Sequence, residues 1–387
     1  MTSEQRGHLL AIIGMVSVVG IVFGLTGPLL NLLLERQAIT TRAIGFNSSM
    51  MALGTLVITP LVPRFLAHMR PTQFLYWCLG SAIVLLLLLK LWPVFEFWLL
   101  IRFLMGSAVA GLFVVSETWI NFLVTDANRG RILGIYAACL SAGFGLGPLL
   151  IEFTGIDGWA PFVAGAALIG AAAVILAITN PKAPEFPTSH SGGLWQFLRN
   201  SPIAIMAGLL YGALETGVFG LMPVFGVRIG LTEATAAQML TAVALGNILF
   251  QYPIGWLADK YNPYAVLGLC ATIGIAGALS LNMPAGSVLL WPVLIIWGGT
   301  ITGLYTVGLT ILGRTYSSLK LTGANAAIVS AYGMGALISP SFLGTAMDIN
   351  DPYGLAWGLA ILSASFLLVL AIFWRKTSPF SAPAGLD

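Results

Sequence analysis

Charge is what this sequence has least of: 8% of its 387 residues are Asp, Glu, Lys or Arg, against about a quarter in water-soluble domains. A soluble chain of this length folds as roughly two or three domains, and its surface needs far more than 17 Lys+Arg and 14 Asp+Glu. With a net charge of +3 spread over the whole chain, the dense basic stripe of a nucleic-acid-binding protein is excluded as well. Cysteine is equally sparse. Cys78, Cys139 and Cys270 are odd in number, far apart and set in apolar runs, so they read as small packing residues rather than disulfides or a metal cluster. His8, His68 and His190 all fall in tails or loops, which leaves no zinc motif and no buried nucleophile–base pair. Neither an enzyme nor a cofactor is expected.

Apolar side chains are what the sequence has instead, at 58%. Stretches of about 20 apolar residues, the length that spans a bilayer, occur twelve times: near 9–34, 46–66, 73–91, 96–122, 131–153, 160–179, 202–226, 235–257, 265–283, 288–312, 323–346 and 354–374. The first is too long for the apolar region of a cleaved signal and has no small-residue cleavage site at its end, so it is retained as a helix. Gly143 to Gly147 lies inside a hydrophobic helix, which removes a nucleotide-binding reading of its glycines. Between the sixth and seventh spans, Asn180 to Gly193 is rich in Pro, Ser and Gly and reads as a linker. The organisation expected is an all-α membrane protein of twelve transmembrane helices: a six-helix bundle over 1–179, a cytoplasmic linker over 180–200 and a second bundle over 201–387. With the N-terminus in the cytoplasm, twelve of the 17 Lys and Arg residues fall inside, so both termini are expected there.

The two halves are a parallel internal repeat. A shift of 192 positions brings Arg36 onto Arg228, Thr40 onto Thr232, Ala52-Leu53-Gly54 onto Ala244-Leu245-Gly246, Gly111 onto Gly303, Gly143 onto Gly335 and Pro148 onto Pro340. Three segments then carry a family resemblance. Gly255-Trp-Leu-Ala-Asp259-Lys260 resembles the signature loop of the major facilitator superfamily, Arg102-x-x-x-Gly106 its second motif, and Gly143-x-Gly145-x-Gly147-Pro148 the motif of its antiporter branch. Glu117-Thr-Trp119-Ile-Asn121, Glu215 with Pro223, and Gln251 to Asp259 are similar to its YcaD-like group. The first-half copy of the signature loop departs from the pattern, with Pro63 where the second half has Gly255 and Ala67 where it has Asp259. Leu149-Leu150-Ile151 likewise replaces the trailing glycines of the fuller antiporter motif.

The repeat also filters candidates, since shared residues read as scaffold and polar residues that break the repeat read as chemistry. Glu215 aligns with Phe23, Arg102 with Leu294 and Glu117 with Leu309. A carboxyl inside an apolar helix faces a bundle interior or a wet cavity. Glu215 therefore either takes and releases a proton in each cycle or is a structural acid bonded to a neighbouring helix. Arg102 either sets the protonation of a nearby acid, holds an anionic substrate, or clamps helices through an ion pair. Glu117, about four turns from Arg102 by helical rise, lines the inner cavity mouth or pairs with Arg64, Arg129 or Arg131 in a latch. The resemblance implies that spans one, four, seven and ten line the path, so Thr26, Asn31, Thr300, Thr302, Tyr305 and Thr306 are solute-contact candidates. Hydroxyls that bond back to their own helix are the alternative. Asp259, Lys260, Gly255, Arg64 and Arg314 are candidates for a cytoplasmic latch, and Gly143, Gly147, Pro148 and Pro340 for gating or tight packing. Glu152 and Asp157 read as rim charges. The resemblance implies a monomeric inner-membrane transporter whose partners are protons, a small solute and the lipid bilayer. Proton-coupled efflux is weighed against import of a small anion at Arg102, lipid or lysolipid flipping, and a non-transporting membrane receptor or enzyme.

Overall fold

The computed structural model describes residues 3–123, 129–179, 194–284, 287–316 and 318–374. Among them every regular element is helical. The first half contains α1 (Ser3–Arg36), α2 (Thr41–Ile58), α3 (Val62–Leu66), α4 (Pro71–Leu91), α5 (Phe95–Leu123), α6 (Arg129–Leu146), α7 (Leu150–Thr154) and α8 (Ala160–Thr179). A short α9 (Leu194–Asn200) precedes α10 (Pro202–Arg228), α11 (Glu233–Lys260), α12 (Pro263–Ser280), α13 (Leu290–Thr315), α14 (Ser318–Ile349) and α15 (Gly354–Trp374). Eleven of these units are long and apolar enough to cross a bilayer, and the shorter apolar Ala138–Thr154 makes a twelfth. The last seven residues of the expected linker are thus helical. Phe197 of α9 meets the Tyr316 ring edge-on, with centroids 5.4 Å apart, and Ser201 shares a 3.0 Å hydrogen bond with the Tyr316 hydroxyl.

Proline accounts for the two interrupted spans. Pro60 and Pro63 withdraw two backbone donors within four residues, and the second span becomes α2, a 3-10 turn and α3. Pro148 likewise opens the 3-10 turn between α6 and α7. Its repeat equivalent Pro340 sits inside an unbroken α14, as Pro253 does in α11.

Helix contacts follow the repeat closely. A Cβ at Gly54 would strike the Phe103 carbonyl, and one at Gly246 the carbonyl of Ile295, the equivalent residue 192 positions on. Gly106 packs on the Met51 backbone as Gly298 does on Val243, so α2 crosses α5 in the way that α11 crosses α13. Gly143 against Ser17 and Gly335 against Leu209 repeat the α1–α6 and α10–α14 contacts. Cys78 and Cys270, both buried free thiols, fill the space opposite Gly111 and Gly303, again equivalent positions. Large exposed side chains such as Trp77, Phe153, Ile178 and Tyr252 remain for the lipid.

The ends of α1 and α15 that carry the chain termini define a terminal face, and the Arg36 and Arg228 ends a distal face. Across the central seam α2 packs on α14 and α6 on α11.

Candidate functional site

Glu215 lies thirteen residues into α10, about 20 Å from either end by helical rise. Its two carboxylate oxygens accept hydrogen bonds from two phenols: Tyr211, one turn earlier on α10, at 2.5 Å, and Tyr332 of α14 at 2.6 Å. Tyr305 of α13 closes the group, with its ring centroid 5.3 Å from that of Tyr211 and 6.3 Å from that of Tyr332. The repeat equivalents of Tyr211, Glu215, Tyr305 and Tyr332 are Val19, Phe23, Phe113 and Leu140, all apolar. Four substitutions scattered over three helices therefore converge on one spot in the second half. A half-buried carboxyl in mid-membrane needs donors for its oxygens, and the phenols supply them.

A small cavity of about 20 Å³ opens beside this carboxyl, lined by Tyr211, Glu215, Phe219, Asn247, Ile301 and Thr302 among others. Phe144 of α6 meets Phe219 edge-on across the seam, at 6.4 Å between centroids. On α11, Thr241 donates to the Gly145 carbonyl at 2.8 Å. Both contacts lie between the cavity and the distal face. Glu117, on α5, is exposed and accepts from the Tyr136 hydroxyl at 3.3 Å. Tyr305 lies within electrostatic range of both Glu117 and Glu215.

Of the remaining candidates, Thr302 lines this cavity and the others lie elsewhere. Thr26 is fully buried and bonds back to Val22, which leaves it away from the cavity. Asn31 is fully buried too, because its amide donates to the Gly220 carbonyl and accepts from Ser48; it joins the halves instead of facing solute. Thr300 and Thr302 bond to carbonyls of their own helix, while Thr306 accepts from Gln251 at 2.7 Å. Arg102 has no contact with Glu215 and is only 4% exposed. Arg314 does reach Asp259 at 3.5 Å and caps the Ala258 carbonyl at 2.9 Å, yet both residues belong to the second half, so this fastens α11 to α13 and does not latch the two halves. Lys260 lies 4.9 Å over the Trp256 ring, Arg64 is exposed, and Gly255 faces open space. Gly143 and Gly147 pack on the α1 backbone. The Asn121, Arg129 and Arg131 side chains lie outside the described residues.

The latch that the structure does contain is at the distal face, where the sequence marks Arg36 and Arg228 as a repeat pair and Asp157 as a rim charge. Arg36 bonds Glu233 at 2.6 Å and Asp157 at 2.7 Å, while its repeat equivalent Arg228 bonds Glu35 at 2.7 Å and Asp351 at 2.8 Å. Each arginine thus takes one carboxylate from the other half and one from its own. Asp348 adds to this by accepting the backbone N–H groups of Thr41 and Arg42 at 2.9 Å, capping α2 from the other half. Gln238 donates to Glu152 at 2.8 Å across the same seam. Among the described residues, every hydrogen bond and ion pair between the halves lies on the distal side of the cavity. The alignment of Arg36 with Arg228 was the available signal for this arrangement; the carboxylates differ between the copies and gave none.

Two six-helix bundles related by a parallel repeat, joined at one face and with a small cavity beside a mid-helix carboxyl, have the architecture of a secondary transporter. The comparisons agree. The family model of the Major Facilitator Superfamily matches residues 10–307 and 229–386, and the chain belongs to that family. It is 24% identical to the MFS-type transporter YfkF of Bacillus subtilis (strain 168), over 98% of this chain and 99% of that one. It is 26% identical to the MFS-type transporter YcaD of Escherichia coli O17:K52:H18 (strain UMN026 / ExPEC), over 96% of each. In fold it is similar to a bacterial homolog of the human lysosomal transporter Spinster in an inward-facing, unoccupied conformation, with a TM-score of 0.80 at 14% identity over 97% of each chain. It is likewise similar to the nucleoside transporter NupG, with a TM-score of 0.76 at 12% identity over 98% of this chain and 100% of that one.

Proposed function

We propose that this transporter exchanges protons for a small organic solute by alternating access, in a bacterial inner membrane with both termini in the cytoplasm. The observation that carries this reading is Glu215, a carboxyl in mid-membrane beside a cavity, with both oxygens met by phenols and with no cationic partner among the described residues. A group so placed gains or loses a proton without leaving a charge pair broken. The terminal face then corresponds to the inside, and the distal latch holds the outside shut. Solute and proton compete for the Glu215 cavity, and rocking of the halves about the α2–α14 and α6–α11 seams exposes it to the other side. Export is favoured by the Gly143 to Pro148 run, which packs α6 on α1.

A thermal-shift screen of the purified protein at two pH values finds a solute, since anything that binds the native fold raises its apparent stability. In proteoliposomes, Glu215→Gln is then expected to abolish pH-gradient-driven movement of that solute while leaving the unfolding temperature in place. An unchanged gradient-driven rate in that variant refutes the assignment.

A further inference from the structure

Arg102 and Asn47 break the repeat at one and the same place. Glycine packing sets Gly106 of α5 against Met51 of α2, and these two helices run in the same direction. Arg102 precedes Gly106 by four residues and Asn47 precedes Met51 by four, so each is one turn nearer the distal face on the contacting side of its helix. Their depths agree, about 10 Å below the start of α5 for Arg102 and about 9 Å below that of α2 for Asn47. At the corresponding crossing of α11 and α13 the equivalent residues are Met239 and Leu294, both apolar and 0% exposed.

In the first half this apolar pair is replaced by a guanidinium 4% exposed and an amide 0% exposed. Arg102 Nε, Asn47 Nδ2 and Asn47 Oδ1 are all buried with no hydrogen-bond partner. No acidic side chain pairs with Arg102 among the described residues. A buried cation without counter-charge is strongly disfavoured, and two buried polar side chains with three open valences at one helix crossing are rare in a native interior.

We infer that the crossing of α2 and α5 is a binding site for a small monovalent anion, held by Arg102 Nε and Asn47 Nδ2. The anion supplies the missing counter-charge, and Asn47 Oδ1 accepts from a water or a hydroxyl on the ligand. The site lies in the opposite half from Glu215 and stands whether or not Glu215 carries the proton.

The test uses the purified full chain at constant ionic strength, with gluconate as the bulky reference anion and chloride or acetate titrated in its place. A saturable rise of a few degrees in unfolding temperature is expected with chloride, acetate or both. A response to acetate alone marks a carboxylate solute, and a response to chloride alone marks an inorganic anion. The double variant Asn47→Met/Arg102→Leu copies the packing of the second half and should fold without the anion; its unfolding temperature should be the same in all three salts. The single variant Asn47→Leu should weaken the apparent anion affinity about tenfold, from loss of one hydrogen bond to a charged group. Equal unfolding temperatures for the native protein in all three salts, or an anion response that survives in the double variant, overturns the inference.

Discussion

Removing Arg228 should open the distal face much more than removing Arg36, although the repeat makes the two residues equivalent. The Arg228 and Glu35 side chains are 20% and 19% exposed and share a two-pronged contact, Nε–Oε1 at 2.7 Å and Nη2–Oε2 at 2.9 Å. Truncating one partner of a fully buried pair costs about 3–5 kcal/mol, much of it from the charge left behind. At one-fifth exposure, with water able to reach Glu35, about 2 kcal/mol is a reasonable figure. Since each 1.4 kcal/mol is a factor of ten, Arg228→Gln should raise the ratio of distal-open to distal-closed molecules about 30-fold. Arg36 and Glu233, the matching pair between the halves, share a two-pronged contact at 2.6 and 2.9 Å but are 46% and 27% exposed, and pairs this open to water contribute about 0.5–1 kcal/mol. Arg36→Gln should therefore shift the same ratio only about two- to fivefold.

Spin labels on cysteines replacing the exposed Gln37 and Asn350, in a background lacking the three native thiols, would report the separation of the two halves at this face by double electron–electron resonance. The long-distance population should grow in the order native, Arg36→Gln, Arg228→Gln. The charge swap Glu35→Arg/Arg228→Glu should restore part of the short-distance population. An identical distance distribution in native protein and Arg228→Gln, or equal shifts for the two arginines, would refute the reasoning.

Two further outcomes are expected. Tyr332→Phe leaves one Glu215 oxygen without its donor, a loss of about 1–3 kcal/mol, and should slow gradient-driven transport at least tenfold while Tyr316→Phe, at the α9 contact, does not; equal rates in the two variants would count against the phenol–carboxylate cluster. Arg314→Met removes the cap on the last carbonyls of α11 and should raise hydrogen exchange around Ala258 and Asp259, without changing the separation of the halves measured at the distal face.

The twelve-span architecture was legible because the bilayer sets a single length scale and scarce charge marks the breaks between spans. The repeat was legible because Gly54, Gly143 and their partners Gly246 and Gly335 touch backbone, where no larger residue fits. Glu215 stood out because one carboxyl in an apolar helix is conspicuous. Its tyrosines did not, since an aromatic residue in a span is ordinary until three helices bring three of them together. Asn47 passed unnoticed for a similar reason: its significance lies in what it fails to contact. Thr26 and Asn31 were drawn toward the cavity by span membership alone, which specifies a helix and leaves open which way each side chain points. The distal latch depended on long-range pairing of Glu35, Asp157, Glu233 and Asp351, and no spacing in the chain announces that.

The asymmetry between the halves can itself be tested at Phe23, the repeat equivalent of Glu215. Phe23 is 5% exposed, and the positions around it that correspond to the three tyrosines hold Val19, Phe113 and Leu140. If backbone geometry alone made the site hospitable to an acid, Phe23→Glu would be tolerated, because α1 packs on α6 as α10 packs on α14. If the phenols are what make it hospitable, the new carboxyl has no donors and must either ionise unpaired or be buried unbonded, at roughly 3 kcal/mol or more. The second outcome follows from the structure: Phe23→Glu should lower the unfolding temperature by several degrees, and Phe23→Glu with Val19→Tyr and Leu140→Tyr should recover part of the loss. Full stability of the single variant would show that the tyrosine cluster is not what holds Glu215 in place, and the proton site would then have to rest on the cavity alone.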